Sequence, residues 1–108
     1  MMKLLIILSI VEEQKNVAQL LHKAGLCRFS VVNITGYKKS EMCAALGWFG
    51  QGSACEKTNS LMMFSFTTPE IAQQVITQIS QNNEAEEQAF PLHAFVLDVE
   101  QFAKIKQN

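Results

Sequence analysis

The chain opens on a continuous apolar run, after which the spacing of its apolar residues changes. Residues 4–11 are leucine, isoleucine and valine interrupted only by Ser9, which is typical of a strand covered on both faces. The next apolar residues recur at helical spacing and are Val17, Leu20, Leu21 and Ala24. Gly25 follows them, and glycine commonly ends helices in a left-handed turn. The pattern predicts a first strand and then a helix over about 12–24.

The same succession of signals returns in the second half of the chain. Residues 26–35 are rich in β-branched and aromatic residues and predict a strand that ends at Gly36, where we expect a turn. Residues 59–67 alternate in apolar character, and the following TTPE supplies a threonine cap, a proline for the first helical turn and an acid. The apolar stripe of this second helix is Ala72, Val75, Ile76 and Ile79. We expect the helix to end in the polar stretch 81–88, and a last strand over 91–102.

This order of elements, β-α-β, a long connection, then β-α-β, predicts an α+β fold of the ferredoxin-like class. Its simplest form is a four-stranded antiparallel sheet with both helices on one face, built as a single domain over residues 1–108. Strands one and three are apolar at both parities, so the face away from the helices would expose large side chains. We therefore predict self-association.

Residues 36–57, GYKKSEMCAALGWFGQGSACEK, form the long connection between the second and third strands. They contain four glycines and no periodicity, and connections of this length are usually functional or disordered. We expect a flexible loop that carries function.

Composition excludes several classes of partner and site. The net charge is −1 and 18% of residues are charged, so nothing favours nucleic acid or an anionic membrane surface. Cys27, Cys43 and Cys55 are widely spaced, which argues against a disulfide framework or a zinc ribbon and predicts a cytoplasmic protein. The apolar opening is much shorter than the roughly 20 residues of a membrane span, so we expect no membrane insertion.

Three stretches resemble the PII signalling superfamily. Residues 17–37, VAQLLHKAGLCRFSVVNITGY, are similar to its first helix, the Ala-Gly helix end and the strand that leads to a Gly-aromatic pair. TTPEIAQQVITQIS looks like its second helix, and HAFVLDVEQFAKIK resembles its last strand and basic tail. The resemblance implies a homotrimer with effector clefts between subunits, and it gives residues 36–57 the place of the T-loop, which touches a regulated partner.

Departures from the family pattern are equally informative. Nucleotide-binding members typically have a second glycine where this chain has Lys38, and a glycine-rich phosphate loop where it has QNNEAEEQAFPL. Three glutamates of that stretch would repel a triphosphate, and His93 stands in place of the basic residue after it. Ser40 replaces the glutamine of nitrogen regulators, and Tyr37 lies at the base of the loop. An adenine nucleotide stays a candidate cofactor without the usual phosphate loop, and nitrogen sensing is not supported.

The resemblance predicts the residues of an effector site and of a partner-binding surface. The predicted effector-binding residues are Gly36, Tyr37, Lys38, Lys39, His93, Lys104 and Lys106. The apolar loop residues suited to a protein interface are Met42, Leu46, Trp48 and Phe49. The alternatives stay open: solvated lysines, a structural histidine, an ordinary strand-end glycine and aromatic, and a loop that folds back onto its own subunit.

Two functions are consistent with these residues. The first is a PII-like trimeric regulator that binds a small effector and uses residues 36–57 to control a partner protein, for which relatives make a membrane transporter a candidate. The second is a small metal-binding or cation-tolerance-type protein of similar fold that uses Cys43 and Cys55, with His93 as a third ligand. We find no nucleophile beside a base and no paired carboxylates, so we expect no enzymatic activity.

Overall fold

A computed structural model describes residues 1–38, 56–85 and 91–105. Its strands are β1 (Lys3–Ile10), β2 (Ser30–Lys38), β3 (Glu56–Thr67) and β4 (His93–Asp98), and its helices are α1 (Gln14–Lys23) and α2 (Pro69–Ala85). The strands form one antiparallel sheet in the order β2-β3-β1-β4. This four-stranded sheet with two helices confirms the predicted ferredoxin-like class. Among the described residues no helix is long and apolar enough to cross a membrane.

Both helices cover one face of the sheet, where alternate residues of the two central strands meet the apolar helical stripes. β1 contributes Leu5 and Ile7, which are each 1% exposed. The other members of this buried core are Val17, Leu21, Ala24, Leu26, Leu61, Met63, Val75, Ile79 and Leu92. Burying a side chain of this size contributes about 1.5–3 kcal/mol, so the core fixes which face the helices cover.

Neither of the described helices lies on the opposite face of the sheet, and we call that face the open face. Strand alternation and the register place these described side chains on it: Leu4, Ile6, Leu8, Ile10, Ser30, Val32, Ile34, Ser60, Met62, Phe64, Phe66, His93, Phe95 and Leu97. Phe66 is 58% exposed and Leu97 is 46% exposed. The predicted exposure of large apolar groups on this face is therefore confirmed, and self-association stays a prediction.

The helix boundaries follow from local chemistry. After α1, Gly25 has φ 95°, the left-handed conformation that glycine adopts without strain. Its amide donates to the His22 carbonyl, and the Leu26 amide donates to the Leu21 carbonyl at 2.9 Å, the paired hydrogen bonds of a Schellman motif. At the start of α2, the Thr68 hydroxyl accepts from the amide of residue 71, as expected for a capping threonine.

Three predicted boundaries are wrong. β1 ends at Ile10, and Val11–Glu13 form a 3-10 turn before α1, so the first helix starts later than position 12. The stretch 26–29 is not strand, because its first amide completes the helix end and the Arg28 carbonyl accepts from the Ser65 hydroxyl at 2.6 Å. The last strand ends at Asp98, short of 102.

Gly36 does not make the expected turn. It lies inside β2, where it pairs with Thr58, and the ladder continues through Tyr37 to the pair Lys38–Glu56. A glycine is tolerated inside a strand and weakens it, whereas continued pairing with β3 holds the chain extended here. Residues 39–55 connect β2 to β3 and lie outside the described residues.

Candidate functional site

The antiparallel sheet has two ends, and the predicted effector residues divide between them. At the loop end lie the last residues of β1 and β2 and the first residues of β3 and β4. At the tail end lie Lys3, Ser30, Thr67 and Asp98. β3 has 12 residues, so its two ends are about 35 Å apart at 3.3 Å per residue.

Gly36, Tyr37, Lys38 and His93 belong to the loop end. Lys104 does not, because it follows β4 at the tail end, two residues beyond Phe102. Phe102 contributes to a shallow groove with Met1, Met2, Phe66, Thr67 and Thr68. One small ligand therefore cannot touch Lys38 and Lys104 of the same chain.

Gly36 and His93 share the loop end but not one pocket. They lie on β2 and β4, the two edge strands, with β3 and β1 between them. Three strand spacings of about 4.8 Å separate the edge strands by about 14 Å. Gly36 and His93 of one chain therefore cannot line the same small pocket.

The remaining predicted residues lie outside the described part of the chain. These are Lys39, Met42, Cys43, Leu46, Trp48, Phe49, Cys55 and Lys106. Their proposed roles in effector, partner or metal binding stay predictions. Among the described residues, no group of three His, Cys, Asp or Glu side chains is placed to hold a metal ion.

His93 is the first residue of β4 and lies opposite Leu8 on the open face. Its Nε2 atom is buried and has no hydrogen-bond partner among the described residues. A groove of about 640 Å³ runs beside it along the same face, lined by Ile6, Leu8, Met62, Ala94, Phe95, Val96 and Leu97. A buried polar atom without a partner is costly, so this nitrogen is a candidate contact for a ligand or another protein surface.

The Asn83 side chain is hydrogen-bonded to the backbone just before β4, a contact that the sequence analysis did not predict. Its side-chain nitrogen donates to the Leu92 carbonyl at 2.8 Å, and its oxygen accepts from the Leu92 amide at 3.0 Å. Leu92 is 2% exposed and belongs to the core. The pair of bonds therefore ties the end of α2 to the residue just before His93. The only sequence signal was an asparagine near the helix end, where its amide can reach backbone groups.

A second groove lies at the tail end and was also missed. It measures about 680 Å³ and is lined by Cys27, Arg28, Phe29, Ser30, Phe64, Ser65 and Phe66. Arg28 supplies a planar cation beside aromatic rings, a combination that can bind anionic or flat ligands. The sequence pattern concealed this groove because it assigned residues 26–29 to a strand.

Comparison with known proteins gives a result for the fold alone. No protein-family model matches the sequence, and no curated protein matches it. Among solved structures, CPII from Thiomonas intermedia K12, a PII-like protein bound to ADP, AMP and bicarbonate, has 18% sequence identity and a TM-score of 0.63, with 96% of each chain covered.

Two further solved structures of PII-type proteins also match the fold of this chain. The B. subtilis GlnK–ATP complex has 14% identity and a TM-score of 0.64, covering 91% of this chain and 81% of that one. A putative PII-like signalling protein from Thermus thermophilus has 13% identity and a TM-score of 0.61, covering 88% of this chain and 83% of that one. Across nearly its whole length, this chain has the fold of the PII-like proteins, as its sequence motifs predicted.

Proposed function

We propose that the chain is a PII-like regulatory protein. It binds a small effector at clefts between the copies of a homotrimer, and it uses residues 36–57 to control a partner protein. The observation that carries the proposal is the match to PII-like structures over most of the chain, combined with candidate effector residues at both ends of the sheet. A membrane transporter is the partner class we would test first.

The geometry supports a cleft made by two copies. Lys38 and Lys104 lie at opposite ends of a sheet whose longest strand measures about 35 Å, so they reach one ligand only if two chains meet loop end to tail end. The groove around Arg28 belongs to the tail end and would enter the same cleft. The apolar open face supports association, because patches of this kind on soluble proteins commonly mark interfaces.

The class of effector is inferred from the ligands of the similar solved structures and from the positions where this sequence differs from nucleotide-binding PII proteins. CPII carries ADP, AMP and bicarbonate, and GlnK carries ATP. In this chain the stretch before β4 is acidic, which disfavours a triphosphate more than a monophosphate or bicarbonate. We therefore place AMP, ADP and bicarbonate ahead of ATP as effectors. Residues 36–57 would respond to the effector if the effector has different affinities for two conformations of this segment.

Thermal denaturation tests effector binding directly. The purified full chain is melted with AMP, ADP, ATP, bicarbonate, 2-oxoglutarate or divalent metal salts. A ligand at about a hundred times its dissociation constant adds roughly 2.7 kcal/mol per site, which raises Tm by several degrees for a domain of this size. We expect Lys38→Ala and Lys104→Ala each to reduce the shift, and Lys23→Ala on α1 to leave it unchanged.

Mixing the two lysine variants tests the shared cleft. If a cleft takes Lys38 from one copy and Lys104 from the next, mixed trimers refolded from Lys38→Ala and Lys104→Ala chains contain some clefts with both lysines intact. Ligand binding should then recover in part. No recovery would contradict a site between copies, and a shift with metal salts alone would favour the metal-binding hypothesis instead.

A further inference from the structure

The groove beside Arg28 at the tail end, which we call the Arg28 groove, combines one cation with aromatic walls. Of its described lining residues, Arg28 is the only one charged at neutral pH, and Phe29, Phe64 and Phe66 supply phenyl rings. Its volume of about 680 Å³ lies within the roughly 300–1,000 Å³ of small-molecule sites. Such sites have apolar and aromatic walls with a few polar groups that set specificity. The composition of the Arg28 groove therefore fits a small ligand.

The backbone that carries Arg28 is fixed on both sides. Before it, Leu26 is 5% exposed, and its amide is hydrogen-bonded to the end of α1. After it, Ser30 enters the ladder opposite Phe64. The Arg28 carbonyl itself accepts from the Ser65 hydroxyl at 2.6 Å. The guanidinium is therefore attached to an ordered backbone beside the rings, which lowers the entropy lost when a ligand binds.

No carboxylate offsets the charge of Arg28 within the groove. None of the described lining residues is acidic, and in the described part of the chain the one ion pair joins Lys3 to Asp98. The Arg28 side chain is exposed to solvent. A guanidinium presents paired N–H donors in one plane, the geometry that matches a carboxylate or a phosphate. The complementary ligand is therefore an anion.

We propose that Arg28 is a specificity-determining residue of the effector site. Its guanidinium binds an anionic group of the effector, and the phenyl rings of Phe64 and Phe66 pack against the flat part of the same molecule. The inference rests on the proposed function for the class of effector. It adds a ligand contact that was not among the predicted effector residues, and it states which two features of a ligand the groove distinguishes.

Three probes separate those two features. AMP carries both a flat base and a phosphate, adenosine carries the base without the anion, and inorganic phosphate carries the anion without a ring. Isothermal titration calorimetry of the full chain measures the affinity for each. We expect AMP to bind more tightly than adenosine or inorganic phosphate, because it alone meets both the guanidinium and the rings.

Variants of the two contacts should have different effects. Arg28→Ala should weaken AMP binding by about tenfold to a hundredfold, the range for a lost hydrogen bond to a charged group, and should leave adenosine binding nearly unchanged. It should also make AMP binding less sensitive to salt. Arg28→Lys keeps the charge without the planar fork and should be intermediate. Phe66→Leu keeps apolar bulk but loses the ring, so it should weaken AMP and adenosine by the same factor.

Lys23→Ala, which removes an exposed cation of α1, is the matched control and should bind AMP as wild type does. Circular dichroism checks that each variant is folded, as expected for exposed positions such as Arg28 and Phe66. Three results would refute the anion contact: no AMP binding by wild type, unchanged AMP affinity in folded Arg28→Ala, or an equal loss for AMP and adenosine.

The lysine variants distinguish this inference from the proposed function. AMP affinity that falls in Lys38→Ala and Lys104→Ala but not in Arg28→Ala contradicts only the role of Arg28. AMP affinity that falls in Arg28→Ala and in neither lysine variant supports the role of Arg28 and contradicts the cleft between copies.

Discussion

The two hydrogen bonds between Asn83 and Leu92 are the clearest place to test how the chain is held at the entry to β4. Asn83→Ala removes both bonds and leaves the amide and carbonyl of a residue that is 2% exposed without their partner. Each bond contributes about 1 kcal/mol net, and stranding a buried peptide group adds to the loss. We expect Asn83→Ala to lower the free energy of unfolding by about 2–3 kcal/mol.

Asn83→Asp probes the same contact through its charge. The introduced carboxylate can still accept from the Leu92 amide, but it cannot donate to the Leu92 carbonyl and repels that oxygen. Protonation restores a donor, so the folded state raises the pKa of the new carboxyl above its unfolded value of about 3.9. The stabilisation from this proton is fully present below the unfolded pKa and is lost as the pH rises through the folded pKa.

The assay is chemical denaturation of both variants at about pH 7.5 and pH 4, with each variant compared with wild type at the same pH. The deficit of Asn83→Asp should shrink at the lower pH, and that of Asn83→Ala should not. Asn82→Ala is the matched control, because the neighbouring Asn82 side-chain nitrogen is buried without a hydrogen-bond partner among the described residues. A deficit below about 0.5 kcal/mol for Asn83→Ala, or a pH-independent deficit for Asn83→Asp, would refute the reasoning.

Two further predictions concern the core and the surface. Leu21→Ala should lower the free energy of unfolding, measured with denaturant, by about 2–5 kcal/mol, because Leu21 is 0% exposed. Leu20→Ala, which changes a partly buried neighbour, should lower it clearly less. Equal losses would contradict the assigned helix face. Asp98→Asn removes the ion pair with Lys3, but the Asp98 side chain is 74% exposed, so we expect a loss below about 1 kcal/mol that disappears in high salt. A larger loss that persists in salt would show that the contact is not a surface ion pair.

Much of the fold follows from local signals that can be read along the chain. Gly25 ends α1 because glycine adopts the left-handed conformation without strain, and Thr68 with Pro69 starts α2 because both suit a helix amino terminus. The buried stripes of both helices were visible as residues three and four apart. The apolar open face was equally readable, because side chains of a strand alternate between its two faces.

The positions of the functional groups depended on contacts between distant parts of the chain. Gly36 lies inside β2 because β3 continues to pair with it, and no local signal reports that pairing. The stretch 26–29 lies outside the ladder, and its Arg28 carbonyl accepts a hydrogen bond from the hydroxyl of Ser65, 37 residues away in the sequence. Asn83 contacts Leu92 across residues that carry no motif for such a contact.

The sequence by itself therefore determined the elements, their order, the class of fold and the apolar character of the open face, since each depends on neighbouring residues or on period. Only the tertiary structure decided that Lys38 and Lys104 lie at opposite ends of the sheet and that His93 faces the open side. Those positions depend on strand order and register, which are set by the packing of the whole sheet.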